Sequence, residues 1–434
     1  MAEAAISATS NRVDFEKIRH DFPVLDQEVQ GNPLVYLDNA ASSQMPKAVA
    51  DRIDQYHRSE HANVHRGIHT LSQKATDYYE ATRSKVKEFI NAGDSDEVIF
   101  TTGTTDSINL VAHSFSERYL EEGDEILVSE IEHHANIVPW QMAAEKHGAK
   151  VRVIPVNDRG ELIWDEFEAL LSDQTAILAI GHVSNALGTI HPIKKMIGAA
   201  HQRDIPVLVD GAQAVPHSPV DVQDLNADFY AFSAHKMCGP TGFGILYGKK
   251  KYLDEMPPYR GGGDMIDKVS FEETTYNVTP HKFEAGTPPI AAGIGLGAAV
   301  DYLSNLGMSN IADYEHELLE YATDELQAID GLRIVGTAEQ KASVISFVFD
   351  DIHASDIGTI LDQQGIAIRT GHHCAQPTMR RFNIPATARA SLSFYNNKSD
   401  IDRLVAGVKE AKTFFVSWYN FTLLLTLLGT INYI

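Results

Sequence analysis

The sequence predicts an α/β protein, with a large domain built on a mostly parallel sheet and a smaller α+β domain beside it. Three observations carry this reading. From about residue 95 to residue 248, short apolar runs alternate with amphipathic stretches, as in the strand, helix, strand units of parallel sheets. After about residue 290 the pattern changes to two long helical stretches followed by further strands. The chain has 434 residues, 44% of them hydrophobic, which is enough core for one large domain and a companion.

Taken in order, EVIF (97–100) reads as the first strand, TTGTTD as a turn, and SINLVAHSFSERYL (107–120) as a helix with apolar residues at helical spacing. EILVS (125–129), a helix through Trp140 and Met142, VRVIPV (151–156), a helix around WDEFEALL (164–171) and AILAIGHVS (176–184) continue the alternation. A helix near 193–203 leads to strands PVLVD (206–210), DFYAFS (228–233) and GILYG (244–248). The small domain is expected to contain strands ISFVF (345–349), IAIRT (366–370) and ASLSFY (390–395), closed by a helix near 398–414. The expected domains are therefore 35–290 for the large one and 1–34 with 291–412 for the small one, with 413–434 as an apolar tail.

Composition excludes several classes of function. A net charge of −23 repels polyphosphate, so nucleic acid is not an expected partner. Only Cys238 and Cys374 occur, too few for a disulfide framework or a four-cysteine zinc site, so a reducing cytoplasm is expected. Met1 to Arg12 lacks the apolar core of a signal peptide. The tail TFFVSWYNFTLLLTLLGTINYI carries no charge but holds Ser417, Asn420, Thr422, Thr426, Thr430 and Asn432. It is read as an extension of unknown role and not as a membrane span.

The stretch VLVDGAQ followed by DFYAFSAHKMCGPTG carries the most chemistry. Asp210 ends one strand and Lys236 follows another, so both belong at strand carboxyl ends, where open α/β sheets bind ligands. Such a pair suits pyridoxal phosphate: the lysine holds the cofactor covalently, and the carboxylate keeps the pyridine nitrogen protonated. Taken alone, the pair reads more readily as a surface lysine and a capping aspartate. Support comes from GTTD (103–106), where Thr104 and Thr105 open a helix at a place suited to phosphate, and from Ser233 and His235 beside Lys236.

The order YLDNAA (36–41), NVHRGIHTLS (63–72), FTTGTTDSINLVA (100–112), EHHANIVPWQ (132–141), HVSNALGT (182–189), DGAQ, SAHK, FEAGTPP (283–289), RTGHHCAQP (369–377) and RASLSFYN (389–396) resembles the SufS-type cysteine desulfurases. These belong to the class V aminotransferase group of pyridoxal-phosphate enzymes. The resemblance runs from about residue 14 to 412 and implies the fold-type I architecture of that group. It further implies that Lys236 anchors the cofactor, Asp210 pairs with the pyridine nitrogen, Gln213 donates to the ring oxygen and His133 stacks on the ring and shuttles protons. Thr104, Thr105, Ser233 and His235 would hold the phosphate, joined by Thr287 from the second subunit of a homodimer. Asn185 and Arg389 would clamp the substrate carboxylate, with Arg369 as a second candidate whose alternative is a structural ion pair.

Cys374 decides the implied reaction. As a thiolate it would take the sulfur from L-cysteine, leaving alanine and a persulfide that passes to a sulfur-acceptor protein of iron–sulfur cluster assembly. Selenocysteine lyase and cysteine sulfinate lyase activities are the enzymatic rivals, and a noncatalytic or membrane-tethered scaffold is the rival from another class. Consecutive His372, His373 and Cys374 do not have metal-ligand spacing, so no metal is expected. Gly261 to Gly263 read as a connector, and Cys238 stands where relatives carry a bulkier residue, read first as inert packing and otherwise as a second thiol near the cofactor.

Overall fold

The computed structural model describes residues 13–427, with side chains as far as residue 415. The readings of Met1 to Arg12 and of the end of the apolar tail lie outside the described residues. The last helix, Lys398–Leu427, carries the first part of that tail. No described helix is long and apolar enough to cross a membrane.

Seven strands form the central sheet: β1 (Val98–Thr101), β2 (Glu125–Ser129), β3 (Lys150–Ile154), β4 (Thr175–Gly181), β5 (Val207–Asp210), β6 (Phe229–Ser233) and β7 (Gly244–Gly248). Their order across the sheet is β1, β7, β6, β5, β4, β2, β3. Only β7 runs antiparallel to its neighbours. The inner strands are short apolar runs buried on both faces, as expected of parallel strands covered by helices on each side. Because β2, β4, β5 and β6 are parallel neighbours, their carboxyl ends open onto one edge, and β1 ends there too.

Two helices that the apolar pattern did not disclose, Lys47–Gln55 and Thr70–Phe89, pack against Ile290–Leu306. An exposed hairpin, Ile266–Val269 with Thr274–Tyr276, was also not expected. The small four-stranded sheet contains β8 (Leu332–Val335), β9 (Val344–Phe349), β10 (Arg369–Gly371) and β11 (Thr387–Ser391), in the order β8, β9, β11, β10 and antiparallel throughout.

Two expected strands of this region differ. IAIRT divides: Ile366–Ala367 pairs with Val35–Tyr36, whereas Arg369–Gly371 joins the small sheet. ASLSFY is displaced toward the N-terminus, because strand pairing ends at Ser391. Leu392, Phe394 and Tyr395 are buried by packing outside the strand. Phe22 lies 4.4 Å from Tyr395, and Arg19 forms an ion pair with Asp400 at 2.8 Å. The N-terminal segment is thereby tied to the chain's last third.

Candidate active site

The shared strand edge opens into a cavity of about 450 Å³. Lys236 reaches its wall from a single turn, Ala234–Lys236, directly after β6. Its amine makes no hydrogen bond or ion pair with any described residue, and burial pushes its pKa down to about 8 against the opposing pull of Asp210. Asp210 ends β5 and is buried, and burial raises its pKa. Its Oδ1 accepts from the Ala212 N–H at 2.9 Å, and its other oxygen accepts no hydrogen bond from the described residues.

At one end of the cavity the 16-residue helix Thr104–Tyr119 begins. Its first amides have no partner four residues back and carry the positive end of the helix dipole. The Ser233 hydroxyl accepts from the Thr104 N–H at 2.7 Å and lies 2.7 Å from the Thr104 hydroxyl. Thr105 and His235 line the same end. A Cβ on Gly244 would sit 2.4 Å from Gly103 Cα, so only glycine lets β7 pass beneath this turn.

His133 lines the cavity with its Nδ1 occupied by the Ala135 N–H at 3.0 Å. Burial and the nearby Lys236 lower its pKa to about 4, leaving a neutral imidazole able to face a planar ring. Gln213 reaches across to Ala40, donating to its carbonyl at 2.6 Å, while its Oε1 is buried without a partner among the described residues. Asn185 Oδ1, His191 Nδ1 and Arg389 Nε are also buried without partners among the described residues, and all four residues line the cavity. Buried polar atoms left unpaired together mark a site shaped for a polar ligand. With Lys236, Asp210 and the helix terminus, these residues fit a phosphorylated pyridine aldehyde.

Arg369 and Arg389 are direct cross-strand partners on β10 and β11. Arg389 is buried and donates to the Asn185 carbonyl at 2.9 Å and to Asp38 Oδ1 at 3.1 Å. Arg369 donates to both oxygens of Asp38.

Cys374 lies exposed on the turn after β10. His373 and Cys374 both adopt left-handed backbone, with φ of 53° and 54°, a conformation that non-glycine residues hold only when their surroundings impose it. Here the Asn185 amide donates to the His373 carbonyl at 2.7 Å, the His134 N–H donates to the Cys374 carbonyl at 2.7 Å, and His373 Nε2 lies 2.7 Å from the Thr387 hydroxyl. The thiol is free while its backbone is held from three sides.

The cavity therefore gathers Lys236, Asp210, Gln213, His133, Thr104, Thr105, Ser233, His235, Asn185, Arg369, Arg389 and Cys374. Thr287 is not among its lining residues and faces a second cavity with Asp106 and Arg260. Cys238 is buried and does not line the cavity, and burial pushes its thiol up to about 12. Residue reading missed Glu132, whose carboxyl burial raises to about 7. Ser129 Oγ and the Gly181 N–H donate to its Oε1 at 2.6 and 2.9 Å, and Asn136 Nδ2 donates to its Oε2 at 2.8 Å, fixing the segment that carries His133. Its position beside the two histidines of EHHAN was the available signal. Asp38 was missed as well, although it sits inside YLDNAA.

Residues 35–404 match the aminotransferase class-V family. The chain is 50% identical over 399 residues to a probable cysteine desulfurase of Halalkalibacterium halodurans, covering 92% of this chain and 98% of the relative. It is 52% identical over 395 residues to a cysteine desulfurase of Serratia proteamaculans, covering 91% and 97%. Among solved structures, an Escherichia coli cysteine desulfurase in an S-sulfonic acid form superimposes with a TM-score of 0.86 at 41% identity, over 93% of this chain and 100% of that one. An apo cysteine desulfurase of Thermococcus onnurineus gives 0.87 at 36% identity, over 94% and 99%.

The lowered pKa of Lys236 makes its amine a nucleophile at mild pH. In cofactor-free protein, trapping of an aldehyde on Lys236 by borohydride, followed by peptide mass mapping, should rise with pH through a midpoint near 8. A midpoint at the ordinary lysine value, above 10, would show that the amine is not buried as described.

Proposed function

Because the chain belongs to the aminotransferase class-V family, we propose that Lys236 and Cys374 divide between them the work of a pyridoxal-phosphate-dependent cysteine desulfurase of fold-type I, which converts L-cysteine to L-alanine. One observation carries this division: the buried, unpartnered amine, the buried carboxylate, the paired arginines and an exposed thiol come from separate segments and meet at one cavity. Bound pyridoxal phosphate supplies an aldehyde for amines and a ring that accepts the electrons released at the substrate's α-carbon.

Each remaining part belongs to the chain. Lys236 Nζ would hold the cofactor through its aldehyde, and as a free amine it would take the substrate's α-proton. Asp210, through the oxygen that accepts no hydrogen bond from the described residues, would keep the proton on the pyridine nitrogen. Neutral His133 would cover the ring face, and because its Nδ1 accepts from the Ala135 N–H, its Nε2 carries the ring proton and can donate it. Thr104, Thr105, Ser233 and His235 at the start of the helix would hold the phosphate, and Gln213 would meet the ring oxygen. Arg389 and Asn185 orient the substrate carboxylate. Cys374 Sγ, as thiolate, then bonds to the substrate sulfur while the carbon–sulfur bond breaks. The electron pair stays with the three-carbon product, which takes up a proton and leaves as alanine, and the sulfur remains as a persulfide on Cys374.

The persulfide passes to a sulfur-acceptor protein for iron–sulfur cluster assembly. An exposed thiol on a rigid turn supports this delivery, and free cysteines suit the cytoplasm as its compartment. Selenocysteine and cysteine sulfinate are side substrates, because their leaving groups do not need the thiol. The enzyme works as a homodimer. In support, Thr287 faces the second cavity, and Ile68, Val269, Phe271 and Val278 are exposed apolar side chains on adjoining segments. Arg66 and Asp264 pair at 2.7 Å and join those segments.

Cys374→Ala should keep the visible cofactor band and still bind cysteine, since neither Lys236 nor Arg389 depends on the thiol. Alanine formation from cysteine should collapse while turnover of cysteine sulfinate persists in part. Full desulfuration of cysteine by this variant would overturn the role of Cys374. Sedimentation of the active holoenzyme should give a dimer, and a fully active monomer would refute the shared site.

A further inference from the structure

Two arginines standing opposite each other on neighbouring antiparallel strands repel. Arg369 and Arg389 do so on one wall of the cavity, and Arg389 is almost wholly buried. Asp38 resolves the conflict from behind that wall. Its Oδ1 accepts from Arg389 Nη2 and Arg369 Nε, each at 3.1 Å, and its Oδ2 accepts from Arg369 Nε at 3.1 Å and Nη2 at 2.9 Å.

The backbone of Asp38 cannot drift away from this position. Its carbonyl accepts from the Ala41 N–H at 3.0 Å, Asp38 bridges to Ser391, and the Ser391 N–H donates to the Leu37 carbonyl at 2.7 Å. Asp38 does not itself line the cavity. Its effect on a ligand therefore passes through the two guanidinium groups.

Counting charges gives the consequence. Two guanidinium groups and one carboxylate leave a net charge of +1, the complement of a single ligand carboxylate. Without Asp38 the same wall would carry +2 and favour a ligand with two anionic groups. We propose that Asp38, bridging the cross-strand pair Arg369 and Arg389, is a specificity-determining residue that makes the site prefer amino acids with one anionic group over those with two. Cysteine belongs to the first class, and cysteine sulfinate to the second. The proposal rests on Arg389 being the carboxylate clamp.

The test uses the holoenzyme and an equilibrium readout, the change in its visible band on titration with L-alanine, which has one carboxylate, and with L-aspartate, which has two. Relative to wild type, Asp38→Asn should shift the ratio of the two dissociation constants toward aspartate by about tenfold, the scale of one unit charge acting across a partly solvated site. Asp38→Glu, which keeps the charge, should restore the preference. Arg369→Gln lowers the wall to zero net charge and should shift the ratio the other way. This opposite sign keeps the test valid even if Asp38→Asn does not hold its cofactor. In steady state, the KM ratio of cysteine to cysteine sulfinate should follow the same two directions.

A purely structural role for Asp38 would weaken both ligands alike, so ratios within about twofold of wild type in Asp38→Asn and Arg369→Gln overturn the proposal. The underlying reading fails separately: an Arg389→Ala variant that binds both ligands as tightly as wild type would remove the clamp itself.

Discussion

An amine and a carboxylate buried in one cavity without an ion pair between them each pay for lost hydration, and the rest of this structure is arranged around that cost. Burial moves Lys236 and Asp210 toward their neutral forms from opposite directions. Neither residue would hold its place on a mobile loop. Both stand where a buried strand ends, beside neighbours whose own carboxyl ends open on the same edge. The sheet is the rigid part that keeps two reactive groups apart and available for a ligand lying between them.

The same division between rigid support and exposed chemistry recurs at the thiol. Cys374 lies in the small domain's share of the chain, on left-handed backbone that its neighbours impose. Asn185 and His134 come from the large sheet's side and hold the carbonyls of His373 and Cys374. Asn185 also presents its own carbonyl to Arg389. One asparagine thus connects the turn that carries the nucleophile to the arginine assigned to the substrate carboxylate. The geometry relates the place where the substrate is held to the place where its sulfur is attacked.

Much of this was legible in the sequence, for a physical reason. Strands buried on both faces must be short continuous apolar runs, so EILVS and GILYG coincide with the observed strands. Helix Thr70–Phe89 escaped because its buried face includes Ser72, Thr82 and Arg83, which blur an apolar period. ASLSFY misled because buried aromatic residues outside a strand look like residues inside one. The candidate site residues were readable through motif resemblance. Asp38 and Glu132 were passed over although both lie inside quoted motifs, because their work is done on other side chains and shows only once the fold brings those partners together. Cys238, for which the sequence reading preferred inert packing to a place near the cofactor, lies in the core because its backbone follows the turn past Lys236 and its thiol is enclosed.

The central claim is that sulfur leaves cysteine by transfer to one particular thiol. Its most direct measurement is peptide mass spectrometry of the holoenzyme after a single turnover of L-cysteine without reductant. The account predicts one extra sulfur on the peptide holding Cys374, none on the peptide holding Cys238, and one alanine released for each sulfur gained. Extra sulfur on Cys238 alone, or alanine formed with no sulfur left on Cys374, would contradict it.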